Sequence, residues 1–149
     1  MLTDIDSVKL SQILAVVLLF GVTAGCSTSS PEQPSARFYE FTHQDKQNDY
    51  RFVAKTSDPE VIDRIEEELT KPFEERRLHI NGDIARGQKH YNSRWSWHFV
   101  PGQWSMVELS VEVCDGRPQM VEEDLDYWID QVGYFCPWSS RVLREVDPR

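Results

Sequence analysis

The chain has 149 residues, about the length of one domain, with 25 acidic and 16 basic side chains and a formal net charge of -9. This excess of acids argues against a nucleic-acid partner, because neutralising phosphates requires clustered lysine and arginine. It argues equally against electrostatic docking onto an anionic lipid surface.

The first residues predict an export signal rather than part of the fold. An apolar run from Ile13 to Val22 is too short to span a bilayer and suits the hydrophobic region of a signal peptide. The following TAGC resembles a bacterial lipobox, which predicts lipidation of Cys26, and Ser27 fits onward transfer to an outer membrane. We therefore expect a protein of the cell envelope, lipid-anchored at an outer membrane or cell surface and facing the periplasm or exterior.

A Ser/Pro-rich stretch, STSSPEQPSA, follows the lipobox and predicts a flexible tether. Its composition argues against the alternative in which the apolar run is a buried helix of the fold. We therefore divide the chain into a signal peptide at 1–25, a lipidated cysteine and tether at 26–36, and one folded domain at 37–149. A domain of that length can bury a single modest core.

The first half of the predicted domain contains a hairpin followed by a helix. Aromatic and β-branched runs at 37–42 and 50–56 predict two strands, joined by the polar turn HQDKQND. The segment 57–72 predicts a helix that begins at Pro59, and its acidic run Glu66–Glu68 is assigned to the solvent-facing side. The apolar face of this helix consists of Val61, Ile62, Ile65 and Leu69.

Three further segments with the period of a strand follow this helix. Residues 78–87 predict a strand in which Gly82 marks a bulge or a close backbone approach. Segments 94–100 and 106–115 each alternate apolar and polar residues, as half-buried strands do. The inward-facing sets are Trp95, Trp97 and Phe99 in the first segment, and Val107, Leu109, Val111 and Val113 in the second.

The last part of the chain predicts a second helix and a closing strand. With Pro118 near its start, the helix carries Val121, Leu125, Trp128 and Val132 at helical spacing. The final FCPWSSRVLREV predicts a loop and a short strand. Strand pairs without regular βαβ alternation predict an α+β domain, in which an antiparallel sheet carries two main helices on one face.

Two cysteines, Cys114 and Cys136, remain after the predicted cleavage. In an exported protein the oxidising compartment favours their pairing, and two buried free thiols are the alternative. A bridge at this spacing would add about 3 kcal/mol to the free energy of unfolding, because it restricts the unfolded chain.

One site hypothesis rests on histidine and carboxylate side chains. His98 points away from the aromatic side chains of its strand, and with His79, Glu112 and Asp115 it could bind zinc or supply a general base. The spacing contains no HExxH, no CxxC pair and no repeated His-x-His. A histidine satisfied by a neighbouring acceptor is the alternative. We expect no resident metal or cofactor.

Four motifs span about residues 50–146: HINGDIARG, YNSRWSWHF, EVCDGRPQMVEEDL and CPWSSRVLREV. Together they resemble the N-terminal domain of the cAMP-inducible prespore calmodulin-binding protein family. The resemblance implies a small exported domain with no assigned reaction, and it implies that both cysteines matter. Calmodulin itself is not expected as a partner, because it binds basic amphipathic helices and both predicted helices are acidic.

The leading hypothesis is a membrane-tethered, non-enzymatic interaction module that binds an exported protein or a surface glycan through exposed aromatic loops. The candidate contact residues are Tyr91, Trp104 and Trp138. Two alternatives stay open. One is an exported hydrolase or metalloprotein built on the histidine and carboxylate cluster, and the other is a proteinase-inhibitor-like scaffold with a disulfide-braced loop near FCPWSS.

Overall fold

The computed structural model describes residues 35–148, so the predicted signal peptide, Cys26 and most of the tether lie outside the described residues. Within the described part, no helix has the length and apolar character needed to cross a membrane. The elements in chain order are strands β1 Arg37–His43 and β2 Phe52–Thr56, helix α1 Pro59–Thr70, strands β3 His79–Arg86 and β4 Trp97–Val107, helix α2 Pro118–Glu123, a π-helix at Asp126–Val132, and strands β5 Tyr134–Phe135 and β6 Ser140–Val146.

The six strands form two antiparallel, three-stranded sheets. In the first sheet β1 lies between β2 and β6, and in the second β3 lies between β4 and β5. The predicted α+β class is therefore confirmed, with the strands divided between two sheets. The division arises because the chain leaves β2 through α1 to start the second sheet, and after β5 it returns to place β6 beside β1.

Helix α1 begins where its sequence predicts. The carboxylate of Asp58 accepts a hydrogen bond from the backbone N–H of Glu60 at 2.9 Å, and Pro59 occupies the first turn. The predicted apolar face packs into the core. Glu68 lies on that same face and is only 1 % exposed, so the assignment of the whole acidic run to solvent is wrong for this residue.

Aromatic rings from both sheets meet in the core. The ring of Phe52 on β2 lies 5.6 Å from that of Phe99 and 6.0 Å from that of Trp97, both on β4. Trp95, Trp97 and Phe99 are all buried, so their predicted inward orientation is confirmed. The dense aromatic segment in the middle of the chain is thus mainly core, where large rings contribute most of the buried apolar area.

Gly82 is a close approach between β3 and β4, as its place in the sequence predicts. The strand register shifts between Gly82 and Ile84. A Cβ added to Gly82 would lie 2.3 Å from the Cβ of Trp104 and 2.4 Å from the carbonyl oxygen of Gln103. Neither atom belongs to the free end of a flexible side chain, so only glycine allows the two strands to come this close.

Candidate functional site

The segment ELSVEV, residues 108–113, leaves the second sheet and forms an exposed segment that we call the 108–113 loop. Strand β4 ends at Val107, so the prediction of a strand over 106–115 is wrong beyond that residue. The reason is that β3 begins at His79, which pairs with Val107, and no strand of the described sheets continues alongside the loop. The side chains assigned to the core face outward instead: Leu109 is 86 % exposed, Val111 64 % and Val113 63 %.

The 108–113 loop is held at its middle by Ser110. The Oγ of Ser110 lies 2.7 Å from Nε2 of His79 and accepts a hydrogen bond from Nδ2 of Asn81 at 2.9 Å. Leu109 and Val111 project outward on either side of this anchor, and the backbone at Val111 is extended. The loop therefore keeps the shape of a strand, although side-chain contacts rather than strand pairing fix its position.

A disulfide braces the C-terminal end of the loop. Cys114 and Cys136 are bonded, as the sequence predicts for an oxidising compartment, and their Cα atoms are 5.1 Å apart. The backbone N–H of Cys136 also donates to the carbonyl oxygen of Cys114 at 2.8 Å. The two sulfur atoms lie 3.2 and 3.4 Å from the carbonyl oxygen of Val111. The covalent bridge thus lies directly behind the exposed valine.

Trp138 lies on the other chain segment that the disulfide joins. Its ring is 39 % exposed, and it lines a pocket together with Leu109 of the 108–113 loop. Its backbone N–H donates to Oδ1 of Asp115 at 2.9 Å. Of the three aromatic residues that the sequence nominates for binding, Trp138 borders the exposed loop.

Trp104 is part of the core, so the expectation that it lies on an exposed loop is wrong. Gly82 pairs with Trp104 and Ile84 with Phe99, which means that residues 100–103 bulge outward opposite Asp83. Strand β4 then continues, and Trp104 enters the core with 6 % exposure. Its Nε1 donates to the carbonyl oxygen of Lys55 at 2.9 Å, so its polar atom is also engaged inside the protein.

Tyr91 borders a different cleft, with a volume of about 280 Å³. The charged groups of that cleft are engaged with protein atoms. Arg51 lies 3.7 Å from the carboxylate of Glu40, and Arg94 donates to the carbonyl oxygen of Asn48 at 2.7 Å. Because these groups already have partners, we favour the 108–113 loop over the Tyr91 cleft as the candidate site.

The histidine and carboxylate cluster does not form. His98 is buried, its Nδ1 lies 2.8 Å from a backbone carbonyl oxygen, and burial lowers its pKa. It pairs with Ala85, six residues along β3 from His79, which separates the two histidines by roughly 20 Å. Glu112 is exposed, and Asp115 bonds to backbone N–H groups. Among residues 35–148, no three His, Cys, Asp or Glu side chains are placed to hold a metal ion.

The contact between His79 and Ser110 joins residues 31 positions apart, so their spacing along the chain does not predict it. Burial lowers the pKa of His79, and the charge of Arg141 lowers it further. The neutral ring can therefore accept the hydroxyl proton of Ser110. Within the described residues the other ring nitrogen of His79 has no side-chain partner, so the orienting group of a nucleophilic triad is missing. The pair holds the loop in place.

These features define a class of protein: a disulfide-braced α+β domain that presents an extended apolar loop. The family model of the N-terminal domain of the prespore calmodulin-binding protein family matches residues 35–149. The chain therefore belongs to this family, which confirms the resemblance indicated by the four sequence motifs. Comparison with curated proteins gave no match, and comparison with solved structures gave none either.

Proposed function

We propose that the protein is a non-enzymatic interaction module that binds an exported protein through its 108–113 loop. The observation that carries the proposal is the exposure of three aliphatic side chains on one extended segment. Ser110 and the disulfide hold this segment from behind. A loop that is already ordered loses little conformational entropy when a partner covers it, which favours binding.

The chemistry of the loop favours a partner with an apolar cleft that accepts an extended chain. Because no strand pairs with the loop in the described sheets, its backbone is open to pairing with an extended segment. Glu108 and Glu112 are exposed between the aliphatic side chains, so a complementary cleft has basic groups at its rim. The exposed side chains of the loop itself are aliphatic rather than aromatic, which favours a protein over a stacked sugar.

The proposed location of this interaction is the cell envelope. The apolar run, the lipobox-like TAGC and the Ser/Pro-rich tether together support lipid anchoring through Cys26. The tether would hold the folded domain away from the membrane surface. A partner within reach of the loop would then be another exported protein, in the periplasm or at the exterior.

The double variant Val111→Ser/Val113→Ser tests the proposal. A photoreactive side chain at position 112 of the full chain recovers the partner from an envelope extract, and calorimetry with the purified partner measures the affinity. We expect the double variant to bind about 100-fold more weakly, because each buried valine contributes about 1.5 kcal/mol. Its stability should change little, since both side chains are exposed.

Met120→Ser is the matched control, because it removes an apolar side chain that is 46 % exposed outside the loop. This variant should bind the partner with the affinity of the parent protein. The proposal fails if the double variant retains full affinity, or if Met120→Ser weakens binding to the same extent.

A second candidate function is inhibition of an exported protease, which the disulfide behind Val111 favours. Rigid, extended loops fit protease clefts with little rearrangement. The loop presents Leu109 and Val111, so we would test the full chain against chymotrypsin, elastase and subtilisin, which accept apolar side chains. An inhibitor would block one of these proteases, resist cleavage in the loop and lose its effect on Val111→Asp. Rapid cleavage within residues 108–113 would exclude this function.

A further inference from the structure

A small pocket beside the 108–113 loop has features that loop binding does not explain. Its volume is about 130 Å³. Leu109 and Trp138 supply apolar surface, and Arg77 and Arg141 supply positive charge. We call this cavity the arginine pocket. Its lining also includes His79, Ser110 and the exposed Glu108.

Backbone carbonyl groups hold the guanidinium group of Arg141 in a fixed orientation. Its Nε donates to the carbonyl oxygen of Arg76 at 2.8 Å. Its Nη1 donates to the carbonyl oxygens of Trp138 and Ser140, at 2.8 and 2.6 Å. The group is therefore positioned before any ligand arrives. Guanidinium groups held in this way suit carboxylates, whose two oxygens match their planar donors.

The positive charge of the arginine pocket is not neutralised from within. Neither Arg77 nor Arg141 forms a salt bridge with a carboxylate among residues 35–148. Burial lowers the pKa of Arg141, and the neighbouring charge of Arg77 lowers it further. Glu68 acts in the opposite direction, but its carboxylate is engaged by Lys71. A bound anion would relieve the repulsion between the two arginines.

The remaining lining restricts the kind of anion. Leu109 and the ring of Trp138 expose apolar surface that an apolar group of a ligand would cover. Glu108 brings one negative charge to the same lining, so it opposes a second negative charge on the ligand. The combination favours a monoanion with an apolar substituent over a dianionic phosphate ester.

We propose that the arginine pocket binds a carboxylate attached to an apolar group. Arg77 and Arg141 contact the carboxylate, and Leu109 and Trp138 cover the apolar part. Such a ligand is either a free small acid or the C-terminus of a peptide that ends in an apolar residue. This site is separate from the surface that binds the loop's partner, because Val111 and Val113 do not line the pocket.

Calorimetric titration of the full chain with 3-phenylpropionate and with its uncharged analogue 3-phenylpropanamide tests the proposal. We expect the carboxylate to bind about 10-fold more tightly than the amide, because only the carboxylate forms charge-assisted hydrogen bonds. The dipeptide acetyl-Ala-Phe, with a free or an amidated C-terminus, identifies the source of the ligand. Tighter binding of the free dipeptide than of 3-phenylpropionate indicates a peptide C-terminus, and weaker binding indicates a free acid.

Variants of exposed residues connect the binding to the pocket without disturbing the fold. Arg77→Gln should weaken binding of 3-phenylpropionate about 10-fold and leave the amide unaffected, whereas Glu108→Gln should strengthen it about 3-fold. Arg144→Gln is the matched control, because that side chain is 62 % exposed and pairs with Glu40 outside the pocket. The Val111→Ser/Val113→Ser variant should bind the carboxylate normally. Equal binding of acid and amide, or full binding by Arg77→Gln, would overturn the proposal.

Discussion

Replacing Glu68 with alanine should lower the free energy of unfolding by about 3 kcal/mol. The carboxylate is almost fully buried and accepts hydrogen bonds from the backbone N–H groups of Arg77 and Leu78, at 2.7 and 3.2 Å. It also pairs with Nζ of Lys71 at 2.7 Å. Alanine would leave both backbone donors without an acceptor, and each such loss costs about 1–3 kcal/mol. The same backbone bonds position Arg77, so binding in the arginine pocket should weaken as well.

Urea denaturation of the two adjacent variants Glu67→Ala and Glu68→Ala measures this effect. Glu67 also lies near Lys71, at 3.3 Å, but its side chain is 72 % exposed. Its replacement should change the free energy of unfolding by less than about 0.5 kcal/mol, as exposed ion pairs usually do. Equal stability of the two variants would show that the buried carboxylate does not hold the start of β3.

Glu68 also makes the stability depend on pH. Burial opposes its ionisation, but hydrogen bonds from Lys71 and from the backbone of Leu78 and Arg77 outweigh burial, and the pKa of Glu68 lies below its ordinary value of 4.5. A depressed pKa in the folded state means that the unfolded chain binds the proton more tightly. The stabilisation is therefore present above about pH 4.5 and is lost as the pH falls through the folded-state pKa. Glu68→Gln should show a shallower loss of stability below about pH 5 than the parent protein.

Removing the disulfide, with Cys114→Ala/Cys136→Ala, should also lower the free energy of unfolding by about 3 kcal/mol. The bridge joins residues 22 apart in sequence, and without it the unfolded chain gains the entropy of an open loop. Both cysteines are buried, so alanine also removes packed sulfur atoms. The end of the 108–113 loop would lose its brace, and affinity for the loop's partner should fall although its exposed side chains are unchanged.

Thermal unfolding of the full chain tests this expectation. The double variant should melt about 10 °C or more below the parent protein. Dithiothreitol should lower the Tm of the parent toward that of the variant and leave the variant unaffected. A variant that melts with the parent would show that the bridge contributes nothing to stability.

The sequence predicts most of the local structure. Helix α1, its cap at Asp58 and its apolar face depend on residues that are neighbours along the helix, so spacing alone identifies them. Alternation places Trp95, Trp97 and Phe99 on one face, and all three are in the core. The disulfide is predicted from the cysteine pair together with the export signal, and the bond is present.

The candidate site was mostly beyond prediction, because it depends on contacts between distant segments. Alternation in ELSVEV predicts an extended segment, but it does not show whether another strand lies alongside to cover it. Only the start of β3 opposite Val107 shows that Leu109 and the two valines remain exposed. Trp104 is the reverse case, since a bulge returns it to the core after the Pro-Gly turn signal.

The α+β class, the main elements, the cysteine pair and the family thus follow from the amino-acid sequence, because each is encoded in local spacing or short motifs. Which apolar side chains are covered depends on the tertiary structure, because burial requires another segment to pack against them. The same holds for the pairing of charges: Glu68 finds its partners at the start of β3, whereas Arg77 and Arg141 meet in one pocket without a carboxylate partner among the described residues. The exposed loop and the arginine pocket both arise from these long-range contacts.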